Sequence, residues 1–192
     1  MHETSNPDEI AEWLRTSYAD ALSGTIAIDG KDGVGKTTLA VVLQNTVGGT
    51  LVSLDDFVLA NLGGYVPYLK TGELKAALET INRPIIVEGV CVLSALDRVS
   101  HERNVLIYVK RLVSYGYWLD EDVCDPTEPV EELIARRAEE VGSFARLDAE
   151  LSGEPLPEDE KPRLTALREE IIRYHARYRP SRHADIIFLK RD

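Results

Sequence analysis

Short, nearly continuous apolar runs alternate along this chain with stretches whose apolar residues recur at helical spacing. Asn6-Pro7-Asp8-Glu9 offers a capping residue, a proline at the first helical position and early acids, and Ile10, Trp13, Leu14 and Ala21 follow at helical spacing, so an N-terminal helix is expected. Thr25-Ile26-Ala27-Ile28-Asp29 reads as a strand that runs into a glycine-rich loop, and Thr38 to Val47 reads as a helix stopped by Gly48-Gly49. A second strand, Thr50-Leu51-Val52-Ser53-Leu54, leads into Asp55-Asp56 and a loop holding Gly63-Gly64 and Pro67, after which Thr71 is expected to cap a helix through Leu78. Pro84-Ile85-Ile86-Val87-Glu88 and Asn104-Val105-Leu106-Ile107-Tyr108-Val109 lack the alternation of a half-exposed sheet, which predicts strands covered on both faces by helices. From Pro129 to Leu151 the pattern is helical and heavily charged. Ser152-Gly153-Glu154-Pro155-Leu156-Pro157 interrupts it, and Arg163 to Tyr178 resumes a helix. Ala184-Asp185-Ile186-Ile187-Phe188-Leu189 is a fifth apolar run. The sum is an α/β fold with a five-stranded parallel sheet, one domain over residues 1–192, and a candidate lid around residues 121–162.

Composition narrows the partners. The 192 residues carry 33 acidic against 22 basic side chains, a formal net charge of -11, which argues against a nucleic-acid phosphate backbone as ligand. Cys91 and Cys124 have no CxxC spacing and no nearby histidine pair, so neither a disulfide framework nor a zinc site is expected. His2, His101, His175 and His183 likewise lack metal-ligand spacing and read as surface or packing residues. The first residues are polar and acidic, and nowhere do ~18 apolar residues run together, so no signal peptide and no membrane span is expected and the location implied is cytoplasmic.

The chemistry begins at Gly30-Lys31-Asp32-Gly33-Val34-Gly35-Lys36-Thr37, which fits the phosphate-loop pattern Gly-x4-Gly-Lys-Thr and sits between a predicted strand and a predicted helix, the context the pattern needs. Glycines let successive N–H groups turn inward around phosphate oxygens, and the helix adds its positive end. Lys36 is placed to reach the β and γ phosphates and Thr37 to ligand Mg²⁺, so Gly30, Asp32, Gly33, Val34, Gly35, Lys36, Thr37 and Thr38 form the expected cradle for ATP. Val109-Lys110-Arg111-Leu112 bears no likeness to the Asn-Lys-x-Asp base-reading motif of a GTPase. Lys31-Asp32-Gly33-Val34-Gly35-Lys36-Thr37 is similar to the loop of partitioning-type ATPases, Lys-Gly-Gly-Val-Gly-Lys-Thr. That likeness implies an ATPase working as a switch with a partner, and a homodimer in which Lys31 touches the partner's phosphates.

Four further segments point elsewhere. Pro84-Ile85-Ile86-Val87-Glu88-Gly89-Val90 resembles the third-strand signature of the uridine kinases and related small-molecule kinases, and Ser53-Leu54-Asp55-Asp56-Phe57 is similar to their Ser-x-Asp-x-Phe motif. Glu131-Glu132-Leu133-Ile134-Ala135-Arg136-Arg137 resembles their lid segment, and Tyr174 to Pro180 followed by Ala184-Asp185-Ile186-Ile187-Phe188 resembles their ending. The resemblance implies a sheet of order 2-3-1-4-5, ATP and Mg²⁺, and transfer of the γ-phosphate to a nucleoside or another small alcohol. Asp55 then aligns with the catalytic aspartate that orients the acceptor hydroxyl and takes its proton, with Asp56 as the alternative base. Glu88 is expected to hold Mg²⁺ or a metal-bound water opposite Thr37. Arg136, or Arg137, closes over the phosphate or else pairs with Glu132 and Glu140 on the helix face. Tyr65 and Tyr68 are the acceptor-contact candidates, drawn from a loop set of aromatics that includes Tyr115, Tyr117 and Trp118.

Overall fold

The computed structural model describes residues 1–59, 62–152 and 162–191. Strands β1 (His2–Thr4), β2 (Thr25–Asp29), β3 (Thr50–Ser53), β4 (Ile85–Glu88), β5 (Val105–Leu112) and β6 (Ile186–Arg191) form one sheet, every pairing parallel, in the order β1-β6-β5-β2-β4-β3. Helices α1 (Pro7–Thr16), α2 (Lys36–Val47), α3 (Thr71–Thr80), α4 (Val92–Arg98), α5 (Glu121–Cys124), α6 (Val130–Ser152), α7 (Ala166–Tyr178) and α8 (Pro180–His183) connect the strands.

The central strands are apolar throughout because each face meets its own helical layer. Ile26, Ile28, Ile86, Val105 and Ile107 pack with Ile10 and Leu14 of α1 and Leu39 and Leu43 of α2. Ala27, Ile85, Val87, Leu106 and Tyr108 turn the other way, onto Leu74 and Leu78 of α3, Leu96 of α4, Leu133 of α6 and Ile171 and Ile172 of α7. This is the period-two division of a pleated strand between two cores, and it leaves no polar face to read. Among the described residues no helix is long and apolar enough to cross a membrane.

The expected count needs correction: the sheet has six strands rather than five, and with β1 added beside β6 its full order is 1-6-5-2-4-3, in which the five expected strands keep the relative order expected of them, β3-β4-β2-β5-β6. The additional strand, β1, pairs His2, Glu3 and Thr4 with Ile186, Ile187 and Phe188 of β6. Three residues with only Thr4 buried carry no periodicity to detect. The strand is held by contacts instead. His2 stacks on Trp13 with ring centroids 4.5 Å apart, and Thr4 Oγ1 donates to Glu9 Oε2 at 2.6 Å.

Smaller differences have local causes. Asn6 caps α1 as expected, accepting from the amide of Asp8 at 3.0 Å, but α1 ends at Thr16 and Ala21 lies in a separate 3₁₀ turn, Ala19–Ser23. Thr71 does not cap α3; it is the first helical residue, preceded by Lys70, and no side chain serves as the cap. Strand β5 runs three residues past Val109 because the chain folds back on it, with Leu119 N donating to Arg111 O at 2.8 Å and Val113 N to Tyr117 O at 2.9 Å. Of the expected break after α6, Gly153 to Pro157 lie outside the described residues, as does part of the candidate lid. Within the described part of that candidate segment stand α5 and α6, both packed against α7.

Candidate functional site

Parallel strands deliver their C-terminal ends to one edge, and at this edge the sequence turns polar. Strand β2 ends at Asp29, β3 at Ser53 and β4 at Glu88. The loop from residue 30 to 37 follows β2 directly. It takes left-handed conformations at Gly33 (φ 72°) and Gly35 (φ 94°), which suit residues without a Cβ. Lys36 opens α2 and is 7% exposed, its ammonium donating to the carbonyl of Lys31 at 2.7 Å. Burial draws its pKa below the usual lysine value, opposed by Asp29 and Glu88.

Register brings Ser53 opposite Glu88 on neighbouring strands. Ser53 Oγ donates to Glu88 Oε1 at 2.7 Å, and Thr37 Oγ1 donates to Glu88 Oε2 at 3.2 Å. Glu88 is 2% exposed, so this carboxylate meets the first turn of α2 in a nearly dry setting. The glycine after it is a packing requirement, because a Cβ on Gly89 would come within 2.8 Å of the Tyr65 hydroxyl and 2.9 Å of Leu54 Cβ. Among the described residues no three His, Cys, Asp or Glu side chains gather as a metal cage. Three hard oxygen donors with a single carboxylate do fit Mg²⁺, which keeps several waters and is bound through one or two carboxylates together with substrate phosphates.

Asp55 stands two residues past β3, in the 3₁₀ turn Leu54–Phe57, and is exposed. Tyr65 OH donates to its Oδ1 at 2.6 Å, whereas Asp56 takes no side-chain hydrogen bond among the described residues. Tyr65 therefore does not serve as an open stacking surface. It is 6% exposed, and its amide and that of Val66 donate to Glu170 of α7 at 2.7 and 2.8 Å. Burial and the neighbouring Asp55 push its phenol far above the ordinary value, so it stays a hydrogen-bond donor. Tyr68 is half-buried beside Gly64, and Tyr115 and Tyr117 are exposed. Trp118 lies under the Lys110 ammonium at 4.1 Å.

Arg136 is held by Asp122 and Glu128 at 2.6 Å each and by Glu140 at 2.8 Å. Arg137 pairs with Asp120 and Glu140 at 3.1 Å each and with Asp122. The helix-face pairing with Glu140 is present; the remaining partners are Asp120, Asp122 and Glu128 rather than Glu132. Asp120 also reaches Lys31 at 3.1 Å, and Lys31 touches Asp32 at 3.3 Å. The charged helices thus bear on the glycine-rich loop through a Lys31–Asp120–Arg137 chain. Beside it lies a cavity of about 260 Å³ with an apolar floor that includes Val123, Phe144, Leu164 and Ile172.

Several contacts were invisible in the sequence. Asp29 is fully buried, accepts from the amide of Gly30 at 2.7 Å and from the hydroxyl of Tyr174, and burial pushes its carboxyl up to about 6. Tyr174 accepts in turn from Leu93 N at 3.2 Å. Helix α7 therefore braces both the glycine-rich loop, through Tyr174, and the Asp55 turn, through Glu170 and Tyr65. Only an acid closing an apolar run hinted at Asp29; nothing marked Glu170. His175 is a packing residue: Nδ1 donates to Ile171 O at 2.8 Å, Nε2 accepts from Tyr108 OH at 3.0 Å, and burial lowers its pKa to about 4. Cys91 and Cys124 are free and buried, and burial raises both thiols.

Compared with known proteins, the chain matches no family model and no curated protein.

Proposed function

We propose that this chain is an ATP-dependent phosphotransferase of the P-loop type, moving the γ-phosphate to a hydroxyl of a small molecule as in the uridine kinase family that its motifs resemble. The observation that carries the reading is the meeting of Thr37, Ser53 and Glu88 beside the buried Lys36, with Asp55 on the neighbouring strand end. In this reading the amides of residues 30–38 and the Lys36 ammonium bind the triphosphate, and Lys36 exchanges the Lys31 carbonyl for phosphate oxygen. Thr37 and Glu88 would hold Mg²⁺, with Ser53 orienting the carboxylate. Bound there, Mg²⁺ would neutralise charge on the β and γ phosphates. Asp55, aimed by Tyr65, accepts the hydrogen bond of the acceptor hydroxyl and takes its proton as the new P–O bond forms and the bond from the γ-phosphorus to the β,γ-bridging oxygen breaks, ADP leaving. Arg136 and Arg137 release surface carboxylates to meet the transferring group.

The competing reading, an ATPase that acts through a partner subunit, relies on a Lys31 free to cross an interface. Engagement of Lys31 by Asp120 and Asp32 of its own chain favours the kinase. Incubation with γ-labelled ATP, Mg²⁺ and a panel of nucleosides, sugars and vitamins separates the two. Label on a small organic product supports phosphotransfer, and release of inorganic phosphate alone supports the switch.

A further inference from the structure

The glycine-rich loop is approached by a lysine from the far end of the chain. Strand β6 buries Ile186, Ile187 and Phe188 and then emerges at the sheet's C-terminal edge as Lys190 and Arg191. A Cβ placed on Gly35 would lie 2.8 Å from both Cδ and Nζ of Lys190, so the lysine stem and ammonium occupy the space a side chain at 35 would need. Gly35 is the N-cap of the 12-residue α2 and contributes no side-chain cap. Lys190 thus brings a positive charge to the positive end of a helix.

Three other cations at the loop are engaged. Lys31 has Asp32 and Asp120, Lys36 has the Lys31 carbonyl, and Arg137 has Asp120, Asp122 and Glu140. Lys190 is half-buried and takes no hydrogen bond or ion pair from any described residue. An ammonium in that setting repels the positive helix end, and a polyanion at the loop relieves that repulsion.

Strand order gives the direction. The loop leaves β2; Glu88 and Ser53 lie to one side of it on β4 and β3, and Lys190 lies to the other, beyond β5, on β6. We infer that Lys190 is a second nucleotide-binding lysine, which holds the phosphates that are not transferred from the side opposite Asp55 and Glu88. It rests on the phosphotransfer reading above, because the group that leaves must sit toward Asp55 and the diphosphate that remains must run back across the start of α2 toward β6. Its contact is therefore with atoms that ATP and ADP share.

Calorimetry with Mg²⁺ and ATP or ADP, on wild type, Lys190→Ala, Lys190→Arg and the control Lys75→Ala on α3, tests this. Lys190→Ala is expected to weaken both nucleotides by the same factor, about tenfold, the scale of one partly solvated charge-assisted hydrogen bond. Its affinities should also depend less steeply on salt, its KM for ATP should rise with kcat nearly kept, and its melting temperature should hold. Lys190→Arg is expected to restore most of the affinity, and Lys75→Ala to change neither nucleotide. Unaltered affinities in Lys190→Ala overturn the inference, as does a loss confined to ATP, which would put Lys190 at the transferred phosphate. Should Lys190→Ala melt early, Lys190→Gln keeps the stem and is held to the same outcomes. Wild type binding neither nucleotide would overturn the phosphotransfer reading itself, a result distinct from wild type binding and Lys190→Ala binding equally well.

Discussion

Asp29→Asn is expected to change how stability depends on pH, and the size of the change follows from two buried groups with opposite shifts. Burial raises Asp29 from 3.8 to about 6, so the folded state holds a proton that the unfolded state has lost. That contribution is complete below about pH 4 and is lost as pH rises through about 6. Burial lowers His175 from 6.5 to about 4, so its contribution is complete above about pH 6.5 and is lost as pH falls through about 4. At ~1.4 kcal/mol per pH unit, each amounts to about 3 kcal/mol. Between pH 4 and 6 the two oppose each other, and in the wild type they largely cancel. Asparagine keeps an acceptor for Gly30 N and a polar partner for Tyr174, so its packing cost is a pH-independent offset. Urea unfolding at half-unit steps from pH 4 to 7.5 reads the difference between variant and wild type. That difference should move in the variant's favour by about 3 kcal/mol from pH 4 to 6 and then level off. A flat difference across the range would mean that Asp29 titrates near an ordinary carboxyl and that the buried-acid account of the loop's anchor is wrong.

Three substitutions probe the site. Asp55→Asn should cut phosphoryl transfer by ~10²–10⁴-fold, the usual contribution of a general base, with ATP affinity nearly intact by calorimetry; unchanged turnover would remove Asp55 from its role. Glu88→Gln should raise the Mg²⁺ concentration for half-maximal turnover by ~10–100-fold, and an unmoved Mg²⁺ titration would place the metal elsewhere. Arg136→Ala should alter stability by less than ~1 kcal/mol, because its ion pairs are largely solvent-exposed, while turnover falls; turnover at the wild-type level would leave Arg137 to act or retire the lid arginine.

The legible parts of this protein are those whose cause is local. Ile26, Ile28 and Val87 announce covered strands because residues buried on both faces must be apolar whatever lies across from them. Asn6-Pro7 and Gly48 announce helix ends because a cap acts on amides and carbonyls within one turn. Gly30 to Thr37 could be singled out before any coordinates because its glycines, lysine and threonine all serve one short stretch of backbone. The polar strand ends at Ser53 and Glu88 could be singled out as well, but not their hydrogen bond, which depends on the register of β3 against β4.

The contacts that depend on the assembled fold join residues far apart along the chain. Tyr174 meets Asp29 across 145 positions and Glu170 meets the amide of Tyr65 across 105, and neither pair leaves a spacing to read. Tyr65, an acceptor-contact candidate by sequence, supports Asp55 instead because α7 folds over its loop, and β1 exists because β6 offers it an edge. Periodicity, caps and glycine turns are properties of adjacent peptide units, so they can be read from the residues along with the parallel α/β class they imply. Which charge lies against which carboxylate, and which lysine fills the space above Gly35, is set by how the layers stack, and no local pattern encodes that.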